Sequence, residues 1–433
     1  MHPQGSAPSS PPEPAGATRW RVTDEPGGAP PAASAGAETQ KPSPKGAGKE
    51  AMWVASTYFA EGLPFAIVHQ VSSELFTALG ASLQAVGLTA IFGFAWNGKA
   101  LWSPVIDLFG TTRRWIIGLE IAVAIAVAAV AWPAGKGDLK TAAVALAAVA
   151  FLAATHDIAI DGFYIRALSK ESQEAFTGLR ISAYRVALLV GKGVLVGLAG
   201  LTSWSVCFLA AGGILLALSL LHALMLPREE RRAGSNRLNF ARAFTTFLAK
   251  PRVALIIAFI IFFRAGDALM FAMHTPLLKD LGLDTARRAL VSGTLGTAAS
   301  VAGSMLGALM ISRAGFRRTL IPITCVQSAA ILLYVWMAWA RPSLAWIGAV
   351  VVVEQLVAGV GTAALMSFIM RCASGEYKAS HFAIATSLMS VAMTGLGSAS
   401  GFLADRYGFV YFFALAFAAS LPGVALSFWA PKE

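Results

Sequence analysis

Ten charged side chains interrupt otherwise apolar runs: Glu61, Lys99, Asp157, Asp161, Arg180, Arg185, Lys192, Arg264, Asp267 and Glu354. A carboxylate in apolar surroundings can take up and release a proton, and a lone cation there can hold an anionic solute. Spacing adds detail. Asp157 and Asp161 are one helical turn apart, and Arg185 and Lys192 are seven residues apart, so each pair shares a helix face. If the two segments are antiparallel neighbours, Asp157 with Arg185 and Asp161 with Arg180 lie at matching depths and can form two stacked ion pairs. Lys192 has no acid at its depth and suits an anionic substrate. In Ala60-Glu61-Gly62-Leu63-Pro64, Pro64 cannot donate to the carbonyl of Ala60, so a helix there should loosen beside Glu61. Arg264 and Asp267, three apart, can pair with each other. Glu354, beside Gln355 and with no adjacent base, reads as a proton carrier. His69 and His274 are candidate proton groups, and Trp96, Asn97 and Trp102 could contact a sugar or simply pack.

These residues need elements that hold them. Of the 433 residues 56% are hydrophobic and 13% charged, and mean hydropathy is +0.65. Soluble domains carry about a quarter charged residues, so the bilayer is the natural solvent. Apolar stretches of the length a membrane demands fall near 52–76, 85–106, 115–132, 141–165, 178–200 and 204–226, and again near 252–275, 286–311, 319–340, 345–370, 379–402 and 408–429. Each of the ten buried charges costs about 2.5–3.5 kcal/mol at a helix centre. A lipid-facing total of about 30 kcal/mol would exceed the roughly 5–15 kcal/mol stability of a domain, so these groups must face partners or water.

Orientation follows from the loops. With the N-terminus inside, the inner loops and central segment hold sixteen Lys and Arg, including Arg113, Arg114, Arg166, Arg228, Arg317, Arg318 and Arg371, against seven outside. Both termini are therefore expected in the cytoplasm. The net charge of +11 is then a topology signal, and no nucleic-acid partner is implied. The halves also repeat: Arg113-Arg114 recurs at Arg317-Arg318, "FYIRALSKE" (163–171) parallels "FIMRCASGE" (368–376), and Gly62 matches Gly266, all at offsets of 204 or 205. Two parallel six-helix repeats describe the major facilitator architecture. The expectation is an all-α membrane protein with twelve spans in two pseudo-symmetric halves: a disordered tail 1–50, a first half 51–226, a cytoplasmic linker 227–251 and a second half 252–433. In that architecture spans 1, 4, 7 and 10 line the cavity, 2, 5, 8 and 11 flank it, and 3, 6, 9 and 12 face lipid. All ten charges fall in the first two groups. The one acid of span 3, Glu120, reads as lying near its cytoplasmic start.

Several strings resemble one family: "TYFAEGLPFAIV" (57–68), "ALWSPVIDLFGTTRRW" (100–115), "ATHDIAIDGFYIRAL" (154–168) and "YRVALLVGKGVLV" (184–196). They are similar to the AmpG-type muropeptide permeases, with the related acetyl-coenzyme A transporters and siderophore importers. The resemblance covers the first half specifically and the second only as a general facilitator half. It implies that Asp107 with Arg113 and Arg114 forms a gating element in the loop joining spans 2 and 3. It also implies that Asp157, Asp161 and Tyr184-Arg185 are motif residues of spans 4 and 5. His156 stands where Gln is usual, Arg166 where some members carry Asp, and Ser312 where the repeated motif would place Asp.

The resulting expectation is a proton-driven secondary transporter for a small, polar, anionic solute. The resemblance points to uptake of cell-wall fragments, with siderophores and coenzyme A thioesters as alternatives. Its substrate or proton residues would be Glu61, Lys99, Asp157, Asp161, Arg185, Lys192, Arg264, Asp267 and Glu354. The protein is expected in the inner membrane as a monomer, with a small-molecule substrate and the bilayer as partners. No cofactor or metal is expected beyond the proton gradient: the six His are dispersed, and Cys207, Cys325 and Cys372 are far apart. An enzyme is not expected, since neither HExxH nor GxSxG occurs. A non-transporting sensor on the same scaffold has only the long N-terminal tail in its favour.

Overall fold

Residues 44–228, 240–373 and 378–431 are described by the computed structural model, and every regular element among them is helical. The tail through residue 43 and linker residues 229–239 lie outside the described residues.

The helices start and stop where local chemistry dictates. Helix α1 begins at Pro44, earlier than the span read from 52. It runs to Ala66, widens into a π-helical turn at Ile67–Val71 and ends at Ser72–Ala78. Pro64 sits inside it, and the wide turn opens three residues later. The segment α2 is a chain of short pieces, Leu83–Leu88, Thr89–Gly93, Phe94–Gly98, Lys99–Leu101 and Ser103–Leu108. Gly93 and Gly98 weaken it, and Pro104 opens its last piece without a donor.

Then come α3 (Thr112–Lys136), α4 (Leu139–Ala167), α5 (Lys170–Leu189 with a π turn Val190–Leu195 and a last piece Val196–Leu201) and α6 (Trp204–Met225). Thr111, Asp138, Ser169 and Ser203 cap the four N-termini by accepting a backbone N–H three residues on. A short helix, Phe240–Leu248, lies in the linker.

The rest are α7 (Val253–Asp280), α8 (Thr285–Arg288, a π turn Ala289–Gly296, then Thr297–Ala314), α9 (Phe316–Ala340), α10 (Leu344–Cys372) and α11 (Lys378–Trp429). Ten helices among the described residues, α1 and α3 through α11, are long and apolar enough to cross a membrane. The twelve expected spans differ from this in two places. Span 2 is broken into pieces, and spans 11 and 12 run together through Gly408, whose φ of 74° departs from the helix.

Residues 44–433 form one compact unit. In it α3 packs on α4 and α6, and α1 on α5, while α7 packs on α11, α8 on α10, and α9 on α10 and α11. Two further contacts, α2 with α11 and α5 with α8, join the early helices to the late ones. The 204-residue offset relates them, since it carries span 2 onto span 8 and span 5 onto span 11. Both are backbone-close. A Cβ at Gly401 would overlap the Leu83 carbonyl, and one at Gly293 would overlap that of Lys192. Gly401→Ala is therefore expected to lower the thermal unfolding midpoint, by overpacking worth about 1–3 kcal/mol. Gly395→Ala on the same helix, where a Cβ meets nothing within 4 Å, should leave the midpoint unchanged or raise it slightly.

Candidate functional site

One charged cluster joins α1, α2, α4 and α5. Lys99 Nζ pairs with Asp157 Oδ2. The Tyr58 hydroxyl donates to Asp161 Oδ1 at 2.8 Å, and Arg180 Nη2 lies 3.8 Å from the same oxygen. The Arg180 guanidinium also sits over the rings of Tyr58 and Tyr164, 4.7 and 5.3 Å from their centroids. The charged neighbours of Glu61 include Asp157, Asp161, Lys99 and Arg180, and its buried Oε2 has no hydrogen-bond partner among the described residues. Three carboxylates stand against two cations, so Glu61 shares Lys99 with Asp157.

The Asp161–Arg180 pair thus forms as its spacing suggested, but the Asp157–Arg185 pair does not. Five residues rotate a helix by about 140°, so α5 cannot aim both arginines at α4. Arg185 instead reaches α8, where Nη2 donates to Ser304 Oγ at 3.3 Å, and Asp157 takes Lys99.

Beside this cluster lies an aromatic patch. His69 stacks on Phe65 with centroids 4.0 Å apart, and Trp96 meets Phe65 and His69 edge-on at 5.3 and 4.9 Å. Tyr184 lies 5.7 Å from Phe65. His69 Nδ1 is 3.1 Å from the Phe65 carbonyl, so Nδ1 carries the proton in that contact. The Gln70 and Asn97 side-chain carbonyls are buried without partners, although Asn97 Nδ2 donates to Thr394 at 3.2 Å. Trp102 Nε1 donates to Thr155 at 3.1 Å.

In the later helices Arg264 Nη1 pairs with Asp267 at 3.0 Å, and Gln327 Nε2 donates to the same carboxylate at 2.5 Å. Glu354 accepts from Gln355 at 3.0 Å and from the Tyr334 hydroxyl at 3.3 Å. Lys192 lies in the π turn of α5. It makes no hydrogen bond or ion pair among the described residues, and its charged neighbours are Glu74, Glu354 and Arg288. Of the expected gating residues, the Asp107 side chain lies outside the described residues. Arg113 donates to the Leu226 and Ala223 carbonyls at 3.1 and 2.5 Å, closing the end of α6, and Arg114 is exposed.

Two buried ionic groups escaped the sequence reading. Arg288 Nε pairs with Glu74 Oε2 at 2.9 Å, Thr275 donates to Glu74 Oε1 at 3.0 Å, and Lys279 donates to the Thr77 carbonyl at 2.5 Å. This set ties the end of α1 to α7 and α8. Deeper in the early helices, His222 Nδ1 lies 2.7 and 2.9 Å from the two Glu120 oxygens, His222 Nε2 lies 2.9 Å from Ser56 Oγ, and His156 lies 3.4 Å from Glu120. Glu120 was expected near a helix start in a lipid-facing span. It is wholly buried, because α3 packs on both α4 and α6. The available signal was an acid in an apolar span with His222 in another, since an intramembrane acid needs a partner.

The two ends of the bundle differ. Side chains at the Tyr58–Asp161 end reach solvent, with Arg180 38% and Asp161 40% exposed. At the other end Glu74 and Arg288 are 0% and 2% exposed. A polar, charge-lined interior between packed helices, sealed at one end only, is the arrangement of an alternating-access carrier. Residues 54–401 match the family described as the Major Facilitator Superfamily. The chain belongs to that superfamily.

By sequence this transporter resembles the AmpG-type permeases. It is 26% identical over 377 residues to the anhydromuropeptide permease of Escherichia coli strain K12, covering 85% of this chain and 77% of that one. It is 23% identical over 381 residues to the putative transporter AmpG 4 of Rickettsia conorii, covering 84% and 92%. Its backbone matches a bacterial homologue of the human lysosomal transporter Spinster, in an inward-facing and occupied conformation. That match has a TM-score of 0.72 at 14% identity over 88% of this chain and 96% of that one. A D-xylose–proton symporter matches with a TM-score of 0.67 at 11% identity over 89% and 98%. At such identities these structures establish the fold of the transporter alone. Its Glu74–Arg288 pair is a buried tie between α1 and α8 at one end of the bundle.

Proposed function

We propose that this transporter carries an anionic solute of the anhydromuropeptide class into the cell, driven by protons through carboxylates of its interior. Twelve crossings fit the helices if α2 crosses in short pieces and α11 crosses twice, turning at Gly408. Both termini are then cytoplasmic, the tail 1–50 and linker 227–251 lie inside, and residues 51–226 and 252–433 rock against each other in the inner membrane. The protein works as a monomeric carrier without enzymatic activity or cofactor.

The observation that carries the solute's charge is Lys192, a cation at membrane depth with no bonded partner among the described residues. Insertion of such a charge costs about 2.5–3.5 kcal/mol, and an anionic solute group would offset that cost. Identity to the permease supports the substrate class. The aromatic patch at Phe65, Trp96 and Tyr184, with the unpartnered Asn97 and Gln70 carbonyls, suits a sugar ring and its hydroxyl and amide donors.

Radiolabelled anhydromuropeptide uptake into proteoliposomes with an acidic exterior tests this directly. Accumulation above the external concentration, abolished by a protonophore, is expected. Lys192→Met should weaken binding about 10- to 100-fold, the range of a charge-assisted hydrogen bond. Binding without uptake or counterflow would overturn the transport reading, and accumulation of a siderophore or a coenzyme A thioester alone would overturn the substrate class.

A further inference from the structure

Four buried side chains from four helices form an unbroken hydrogen-bonded file. The carboxylate of Glu354 on α10 lies 3.3 Å from the hydroxyl of Tyr334 on α9. That hydroxyl lies 2.6 Å from His274 Nδ1 on α7, and His274 Nε2 lies 2.6 Å from Ser292 Oγ in the π turn of α8. None of the four is exposed. Ser292 lies one turn along α8 from Arg288 of the buried tie.

Tyr334 has one proton and two neighbours that can take it. If Glu354 is protonated it donates to Tyr334, Tyr334 donates to His274 Nδ1, and His274 Nε2–H donates to Ser292. If Glu354 is ionised every bond reverses: Tyr334 donates to Glu354, His274 Nδ1–H donates to Tyr334, and Ser292 donates to Nε2. The second arrangement follows from the first by shifting one proton along each link, with one proton leaving at Ser292. Each intermediate group ends neutral, and the histidine changes tautomer only.

We propose that Glu354, Tyr334, His274 and Ser292 form the proton pathway of this transporter, with Glu354 as terminal carrier and Lys192 as its link to the solute. The proposal rests on the proton-coupled reading above and names the residues that carry it out. Glu354 is faced by Lys192 from α5, Asp267 from α7 and Tyr334 from α9. His274 is faced by Lys192 and Arg288, and Lys192 also by Glu74. Glu74 is held by Arg288 and Asp267 by Arg264, so Glu354 is the one acid here whose charge is free to change. With the proton on Glu354, Lys192 lacks that countercharge and holds the solute anion. The file loads that proton from its Ser292 end, and loss of the proton to the open, cytoplasmic side leaves a carboxylate that competes for Lys192 and expels the anion. One proton and one anionic group therefore bind and leave together.

The test uses the full chain in proteoliposomes with radiolabelled anhydromuropeptide. Gradient-driven accumulation is compared with counterflow, which needs no net proton movement. Glu354→Gln mimics the protonated acid and should lose accumulation while retaining counterflow. Wild-type affinity should weaken about tenfold per pH unit above the titration of Glu354, and the Gln variant should show no such slope. Tyr334→Phe is nearly isosteric, breaks the file in its middle, and should slow gradient-driven uptake about tenfold or more without slowing counterflow. Gradient-driven accumulation by a folded Glu354→Gln protein would overturn the proposal. If that variant does not fold, wild-type uptake by Tyr334→Phe would overturn it instead. A wild-type protein that accumulates solute without a proton gradient would overturn the proton-coupled reading itself, an outcome separable from failure of the pathway alone.

Discussion

Asp157→Asn is expected to cut both gradient-driven uptake and counterflow about 10- to 100-fold. The variant removes one of three carboxylates around Lys99 and Arg180. Lys99 is one-third exposed, and its other carboxylate neighbours are Asp161 on α4, already held by Arg180 and Tyr58, and Glu61 on α1. Once the neutral amide no longer pairs with it, Lys99 turns to Glu61, so a tie between α2 and α4 becomes a tie between α2 and α1. A charge-assisted bond contributes about 1.5–3 kcal/mol, enough to favour one arrangement of these helices by about 10- to 100-fold and slow the cycle by that factor. Loss of counterflow distinguishes this variant from Glu354→Gln, because a jammed cycle exchanges little whereas an uncoupled one still exchanges solute. The double variant Lys99→Met/Asp157→Asn removes the stranded cation and should recover at least about tenfold of the lost counterflow. Near-normal uptake by the single variant would show that the pair only packs.

The charge map of the interior was legible because each buried ion interrupts an apolar run, and no tertiary information is needed to see that. Which ions meet was not, because pairing depends on lateral neighbours and rotation about each helix axis. Arg180 and Arg185 show the limit. Depth matched both to an acid on α4, but helical rotation permits only one of them to face that helix. The Glu120–His222 pair was missed for a related reason. Reading α3 and α6 as lipid-facing spans overlooked the face that each turns to the other. The π turns at Ile67–Val71, Val190–Leu195 and Ala289–Gly296 leave no periodic signal, yet two of them carry His69 and Lys192 and the third carries Ser292. The repeat offset is a signal of another kind. It relates α2 on α11 to α5 on α8, and these are the seams where Gly401 and Gly293 let backbones touch.

Arg288→Met should open the sealed end. Arg288 and Glu74 are both buried, so removing the guanidinium leaves a carboxylate with a hydrogen bond from Thr275 alone among the described residues. Breaking such a pair costs about 3–5 kcal/mol. The penalty falls on the closed state, since opening this end brings water to Glu74. The shift corresponds to about a 200- to 5,000-fold gain in the population open at that end. A cysteine placed at Thr77, which is buried beside Lys279, reports it when Cys207, Cys325 and Cys372 have been replaced. Its alkylation by a membrane-impermeant reagent should accelerate by that factor in Arg288→Met. Glu74→Gln/Arg288→Met leaves no buried charge unpaired, so its alkylation rate should return to within about tenfold of the parent. Were the double variant to react as fast as the single, the seal would depend on the shape of the arginine side chain, and the ion pair would not be the gate.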